Sequence, residues 1–319
     1  MDGDRPHHHD GTPAEHGHEH FGPADAAAMA TRDGVRATWL SLGILAATAL
    51  LQVAIYLASG SVALLADTIH NLTDALTAIP LLIAFRLGRQ PPSRRFPYGY
   101  HRAEDIAGLV IVALILVSAV LAAWEAIDRL RHPQEVTEIA WVLVAGLIGV
   151  AGNQVVAAYR MRVGRRIGSE ALVADGLHAR TDALTSLAVV VSAIATWIGF
   201  GNADAVIGLV IVGAIVVTLV QAARSVLHRA LDGTEESTIA LIETVAASVP
   251  GVEHVSEARA RWSGHRLLAE LAVDVDGGLR VEEGHAIAER VRQELLRDVP
   301  RLAEATVHVD PHEHASHTG

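Results

Sequence analysis

The sequence predicts an α-helical membrane protein with six transmembrane helices followed by a small α+β domain. Three observations carry that reading. Of 319 residues, 51% are hydrophobic but only 4% are aromatic, and the mean hydropathy is +0.32; long runs of Ala, Val, Leu and Ile suit lipid-facing helices better than a mixed soluble core. Six apolar segments follow one another, each near the ~20 residues that cross a bilayer. After Arg224 the composition turns mixed and charged, as a soluble domain requires.

Residues 1–34 lack apolar periodicity and carry His7, His8, His9, His16, His18 and His20. This segment is expected to be disordered, with loose metal capture by its imidazoles. The six spans are read at 37–58, 62–85, 104–126, 138–159, 169–197 and 203–223, within a membrane domain at 35–224. The connection after span two holds Arg86, Arg89, Arg94, Arg95 and Arg102, and that after span four holds Arg160, Arg162, Arg165 and Arg166. By the positive-inside rule both loops and both termini face the cytoplasm; the expected location of this multi-pass protein is the plasma (inner) membrane.

The domain at 225–311 reads helix, strand, strand, helix, strand. Ile239, Ile242, Val245 and Val249 recur at helical spacing. A strand at 254–262 follows, and then Leu267, Ala269, Leu271, Val273 and Val275 alternate along one strand face. Residues 281–296 form an amphipathic helix, and a last strand turns Ala305, Val307 and Val309 one way and Thr306, His308 and Asp310 the other. Residues 312–319 are a histidine-containing tail.

The chemistry lies in a repeat. "ADTIHNLTDALT" runs from Ala66 and "ADGLHARTDALT" from Ala174, and both sit in apolar surroundings. Residues three and four apart share a helix face, so Asp67, His70 and Asp74 make one polar stripe on span two, and Asp175, His178 and Asp182 make another on span five. Ionisable groups near the bilayer centre cost about 2.5–3.5 kcal/mol each on insertion scales, so both stripes turn inward. His70 lies nine residues from Ser61 and His178 ten from Gly168. At ~1.5 Å per residue both reach the middle of the membrane from opposite surfaces on antiparallel helices. Two imidazoles and two carboxylates meeting there suit tetrahedral Zn²⁺. Asp67 and Asp175, one turn along, are expected to orient ligands or to relay protons.

Several classes are excluded. The chain has no cysteine, so thiolate sites and disulfides are ruled out, and a net charge of −11 argues against nucleic-acid binding. Two alternative readings stay open. One is a membrane metal sensor, in which the same site is coupled to a partner; the other is an intramembrane zinc hydrolase, although such an enzyme needs an open coordination position and a general base, as in His-Glu-x-x-His, and no such motif occurs.

The chain resembles the cation diffusion facilitator family, proton-coupled divalent-metal exporters, and specifically its zinc-type branch. The residues that carry the resemblance are "SVALLADTIHNLTDAL" from Ser61, "YGYHRAEDIAGL" from Tyr98, "ALVADGLHARTDALTS" from Ala171 and "HVDP" from His308. The resemblance implies that His70, Asp74, His178 and Asp182 form the transport site. It also implies a ferredoxin-like (αββαβ) cytoplasmic dimerisation module, and hence a homodimer. Some relatives hold further metal in that module; His285, His308 and Asp310 match the pattern, while Ser256 and Ala272 stand where other ligands are expected. Relatives with a loop site after span two carry an Asp and histidines where this chain has Ser93, Phe96 and Tyr100, so no site is expected there, and His101 is assigned no transport role.

The expected function is therefore export of Zn²⁺, with Cd²⁺ or Co²⁺ as possible further substrates, in exchange for H⁺ by a non-enzymatic transporter. Zn²⁺ is the cargo, and no resident cofactor is needed. Zn²⁺ binding requires neutral imidazoles, so protons entering from the far side weaken the site and release the ion.

Overall fold

A computed structural model describes residues 23–59, 78–131, 139–198 and 203–312. Six helices come first: α1 (Pro23–Ser59), α2 (Ala78–Gly88), α3 (Ala103–Arg131), α4 (Ile139–Ile167), α5 (Glu170–Trp197) and α6 (Ala203–Ala230). Four of them, α1, α3, α4 and α6, are long and apolar enough to cross a membrane. α5 is 28 residues long, about 42 Å at 1.5 Å per residue, but carries the polar stripe that lowers its hydropathy. The predicted half of span two that holds Asp67, His70 and Asp74 lies outside the described residues.

Two boundaries differ from the sequence reading. α1 begins at Pro23, so residues 23–34, expected to be disordered, include helix. The reason is local: proline is favoured at a first helical position, and "ADAAAMA" after it is rich in the best helix former. α6 runs to Ala230, six residues past the expected end of the membrane domain.

The carboxy-terminal domain has the predicted order: α7 (Glu236–Ala247), β1 (His254–Ser263), β2 (Arg266–Asp276), α8 (Val281–Asp298) and β3 (Leu302–His312). The sheet order is β1-β2-β3, with β1 and β2 antiparallel and β2 and β3 parallel through the α8 crossover. The alternation read from the sequence is the burial pattern: Leu267, Ala269, Leu271, Val273 and Val275 are all buried. They face Ile242 and Val245 from α7 and Ile287, Val291 and Leu295 from α8 in a single core.

The two domains meet through the β1–β2 hairpin. Its two-residue turn needs a left-handed residue, which Gly264 supplies at φ +60°. A Cβ there would stand 2.8 Å from both Glu104 Oε2 and the His101 carbonyl oxygen, so the turn fits against the start of α3 only as glycine. Arg301 Nη2 donates to the Arg165 carbonyl at 2.8 Å, and Arg102 pairs with Asp232 at 2.5 Å. The carboxy-terminal domain thus sits at the arginine-rich helix ends.

Candidate functional site

α5 holds the half of the predicted site that the structure describes. Asp175, His178 and Asp182 are 0%, 2% and 3% exposed, although α5 crosses an apolar region. His178 Nδ1 lies 3.9 Å from Asp182 Oδ1, one helical turn on. Thr181 donates its hydroxyl to the His178 carbonyl at 2.6 Å, and Thr185 donates to Thr181 at 3.0 Å; this keeps the remaining polar groups of the turn inside the helix. One imidazole and one carboxylate therefore stand side by side, buried and facing the bundle. They are two of the four expected ligands. His70 and Asp74, with Asp67, belong to the segment outside the described residues.

The structure also corrects the reading of Arg160, which the sequence places in a solvent-exposed basic loop. Arg160 is inside α4 and 1% exposed, with Nη1 3.0 Å from Asp175 Oδ2. The pairing depends on how closely α4 and α5 approach. At Gly176 a Cβ would lie 2.7 Å from Met161 Cγ and 2.9 Å from the Met161 backbone nitrogen. Only glycine lets the α4 backbone come this near, the small-residue contact that membrane helices favour. With the backbones so close, Arg160 reaches Asp175 and a buried charge is compensated. The sequence signal was present in Gly176, next to Asp175, but an arginine followed by Arg162, Arg165 and Arg166 reads first as a loop.

A second buried polar group lies at the junction of the domains, unforeseen from the sequence. His265 Nδ1 meets Glu104 Oε2 at 2.8 Å, and its Nε2 lies 3.3 Å from both the Ala27 carbonyl and Thr31 Oγ1. Gly264 donates its backbone N–H to Asp105 at 3.2 Å. The imidazolium form donates at both nitrogens, to a carboxylate and to a carbonyl. Burial alone pulls the His265 pKa down, but the hydrogen bond and charge of Glu104, with the Ala27 carbonyl, outweigh it and hold the pKa above the usual value. His101 moves the other way, to about 4, through burial and then the Arg266 charge, since Arg266 Nη1 donates to its Nε2 at 2.6 Å.

In the carboxy-terminal domain, His308 Nε2 and Asp310 Oδ1 are 3.1 Å apart on the exposed face of β3. His285 is exposed on α8. Among the described residues no three His, Asp or Glu side chains gather as a metal group, so these three do not form one within a single chain. Ser256 Oγ donates to the Ala272 carbonyl at 3.2 Å, a bond within the β1–β2 pair.

A bundle of long apolar helices with an acidic and imidazole stripe turned inward, joined to a small α+β domain, defines a multi-pass membrane protein built to pass a cation. Family comparison gives the same class. Residues 38–229 match the cation efflux transmembrane domain and residues 234–312 match the cytoplasmic domain of cation efflux proteins. The chain belongs to the cation efflux, or cation diffusion facilitator, family. A probable cation efflux system protein of Mycobacterium tuberculosis is 50% identical over 303 residues, covering 95% of this chain and 91% of that protein. The cation-efflux pump FieF of Serratia proteamaculans is 29% identical over 84% of this chain and 91% of its own length. The magnetosome protein MamB of Paramagnetospirillum magneticum is 28% identical over 80% and 86%. A solved MamM CTD structure matches 25% of this chain and 100% of its own at 29% identity, with a TM-score of 0.25.

Proposed function

We propose that this cation efflux protein exports Zn²⁺ from the cytoplasm in exchange for H⁺, by alternating access around a site made by His70, Asp74, His178 and Asp182. The observation that supports this most is the α5 stripe: His178 and Asp182 are buried at 2% and 3% exposure, one helical turn apart with Nδ1 3.9 Å from Oδ1, inside the bundle. A mixed nitrogen and oxygen donor set favours Zn²⁺ over Mg²⁺ or Ca²⁺, which take all-oxygen shells of higher coordination; Cd²⁺ and Co²⁺ are neighbouring substrates. Neutral imidazole binds the ion and protonated imidazole does not, so proton binding and metal binding exclude one another.

The supporting residues take roles accordingly. The ion pair with Arg160 keeps Asp175 engaged, which favours an orienting role over proton carriage, and Asp67 takes the equivalent place on span two. The positive-inside rule puts the Arg102 and Arg165 ends, and with them the carboxy-terminal domain and both termini, in the cytoplasm of a plasma-membrane protein. That domain mediates a homodimer.

Proteoliposomes holding the full chain and a trapped zinc-sensitive dye test the reading. Zn²⁺ should enter against an outward H⁺ gradient and acidify the outside, and Asp182→Asn should abolish both signals while inserting normally. A variant that carries Zn²⁺ at the parent rate would remove Asp182 from the site; zinc binding without flux would make the protein a sensor.

A further inference from the structure

Between α1 and α2, at the helix ends that face the carboxy-terminal domain, lies a groove of about 580 Å³ lined by Val35, Trp39, Leu82, Ile83, Arg86 and Arg89. Its composition is graded. Leu82 and Ile83 precede Arg86 by about one turn, and Arg89 follows by another, so one helix face runs from apolar to basic toward the end of α2. Arg86 and Arg89 are exposed, and among the described residues neither forms an ion pair. Trp39 and Ile83 are 59% and 53% exposed on the same groove, and Arg32 and Arg36 stand exposed on α1 within a turn of Val35. The floor is closed, because Ala37, Leu81, Ala84 and Phe85 pack α1 against α2.

We propose that this groove is a binding site for one anionic glycerophospholipid. Each part matches a part of that molecule. Two exposed guanidinium groups, without an ion pair among the described residues, present planar, bidentate donors to a phosphodiester. Trp39 has the amphipathic ring that settles at the headgroup level. Val35, Leu82 and Ile83 offer an acyl chain a wall that a free phosphate does not need. Basic pockets between membrane helices at the negatively charged leaflet take headgroups of this kind, and a zwitterionic lipid, carrying its own cation, gains much less from the arginines. The site is independent of the transport stripe on α5.

Native mass spectrometry of the detergent-purified full chain tests it, with phosphatidylglycerol and phosphatidylcholine of identical acyl chains as probes. The parent should retain phosphatidylglycerol about tenfold better, the scale of one charge-assisted hydrogen-bonded contact. In the double variant Arg86→Gln, Arg89→Gln the two lipids should be held alike, with the lipid-free melting temperature unchanged because both side chains are exposed. The variant Arg86→Lys, Arg89→Lys should keep part of the preference, and Trp39→Ala should weaken retention of both lipids. Equal retention by the parent, or a Gln double variant that keeps the full preference, overturns the proposal. So does release of the lipid by soluble glycerol 3-phosphate at matched concentration, which would show that the apolar walls take no part. Loss of dimer with lipid retention intact would assign the groove to a second copy of the chain.

Discussion

Arg160 on α4 and Asp175 on α5 form an ion pair with Nη1 and Oδ2 3.0 Å apart, and both side chains are at or below 1% exposure. Asp175 stands three residues before His178 on the same helix face. The pair fixes how α5 is turned relative to α4, and so where His178 and Asp182 point. It also sets the charge beside them: the Asp175 carboxylate, one turn from His178, is compensated by a guanidinium of the protein.

Removing one partner should be costly. Arg160→Gln leaves Asp175 buried without its counter-ion, and breaking such a pair costs about 3–5 kcal/mol. Thermal unfolding in detergent should show a large loss, and the double variant Arg160→Gln, Asp175→Asn should recover to within ~1 kcal/mol of the parent, because neither charge is then stranded. A single variant as stable as the parent would mean that the pair does not form in the membrane.

Gly176→Val should fail for a different reason. Its Cβ would meet the Met161 side chain at 2.7 Å, which can shift, but also the Met161 backbone nitrogen at 2.9 Å and the Ala157 carbonyl oxygen at 3.1 Å, which cannot, so α4 and α5 must separate. Overpacking of this kind costs about 1–3 kcal/mol, and the separation also pulls Arg160 from Asp175. Zinc flux per inserted molecule should drop with stability, and a variant with parent flux would show that the close approach is dispensable.

The junction between domains should respond to pH through two histidines of opposite sign. The groups facing His265 are Glu104, the Ala27 carbonyl and Thr31, with Asp105 and the Arg266–His101 pair beside it. The folded pKa of His265 is raised above 6.5, so the folded state holds the proton more tightly. Its contribution is full below the unfolded value and is lost as pH rises through the folded one. His101 is lowered from 6.5 to about 4. There the unfolded state binds more protons, and stability falls as pH drops across that window. Melting temperature should therefore peak near the usual histidine range. His265→Gln should flatten the alkaline limb, His101→Gln should flatten the acid limb, and Glu104→Gln should cost about 1–3 kcal/mol at neutral pH. Limbs that persist in both histidine variants would place the titration elsewhere.

The carboxy-terminal domain was legible because its physics is local. Leu267 to Val275 alternate with period two, and their burial alternates with them. The α5 stripe was legible because charges inside an apolar run have few places to go. Arg160 was not, since neighbouring arginines mimic a loop, and only the α4–α5 contact at Gly176 shows otherwise. His265 and Glu104 are 161 residues apart, and no periodicity links a hairpin tip to the start of a membrane helix. The early start of α1 is different: Pro23 and the alanines after it are local signals that a reading along the chain can use, and only the bonds from His265 to Ala27 and Thr31 lie beyond it.

Metal preference supplies the sharpest test of the α5 half-site. Exchanging His178 for Asp replaces a nitrogen donor with a carboxylate beside Asp182, one turn from Asp175, which Arg160 compensates. Imidazole favours Zn²⁺, whereas Cd²⁺ and Mn²⁺ accept oxygen-rich, less regular shells. The exchange also removes an imidazole that binds the ion only when neutral, so proton competition at the site changes with it. His178→Asp should therefore lower Zn²⁺ flux, shift the ratio of Cd²⁺ or Mn²⁺ to Zn²⁺ transport by about tenfold, on the scale of one exchanged ligand interaction, and change the pH dependence of transport. Competition flux at two pH values reads both effects in one experiment. A changed rate with the same ion ratio and the same pH profile would give His178 a packing role only, and Asp182 would then need other partners to hold the ion.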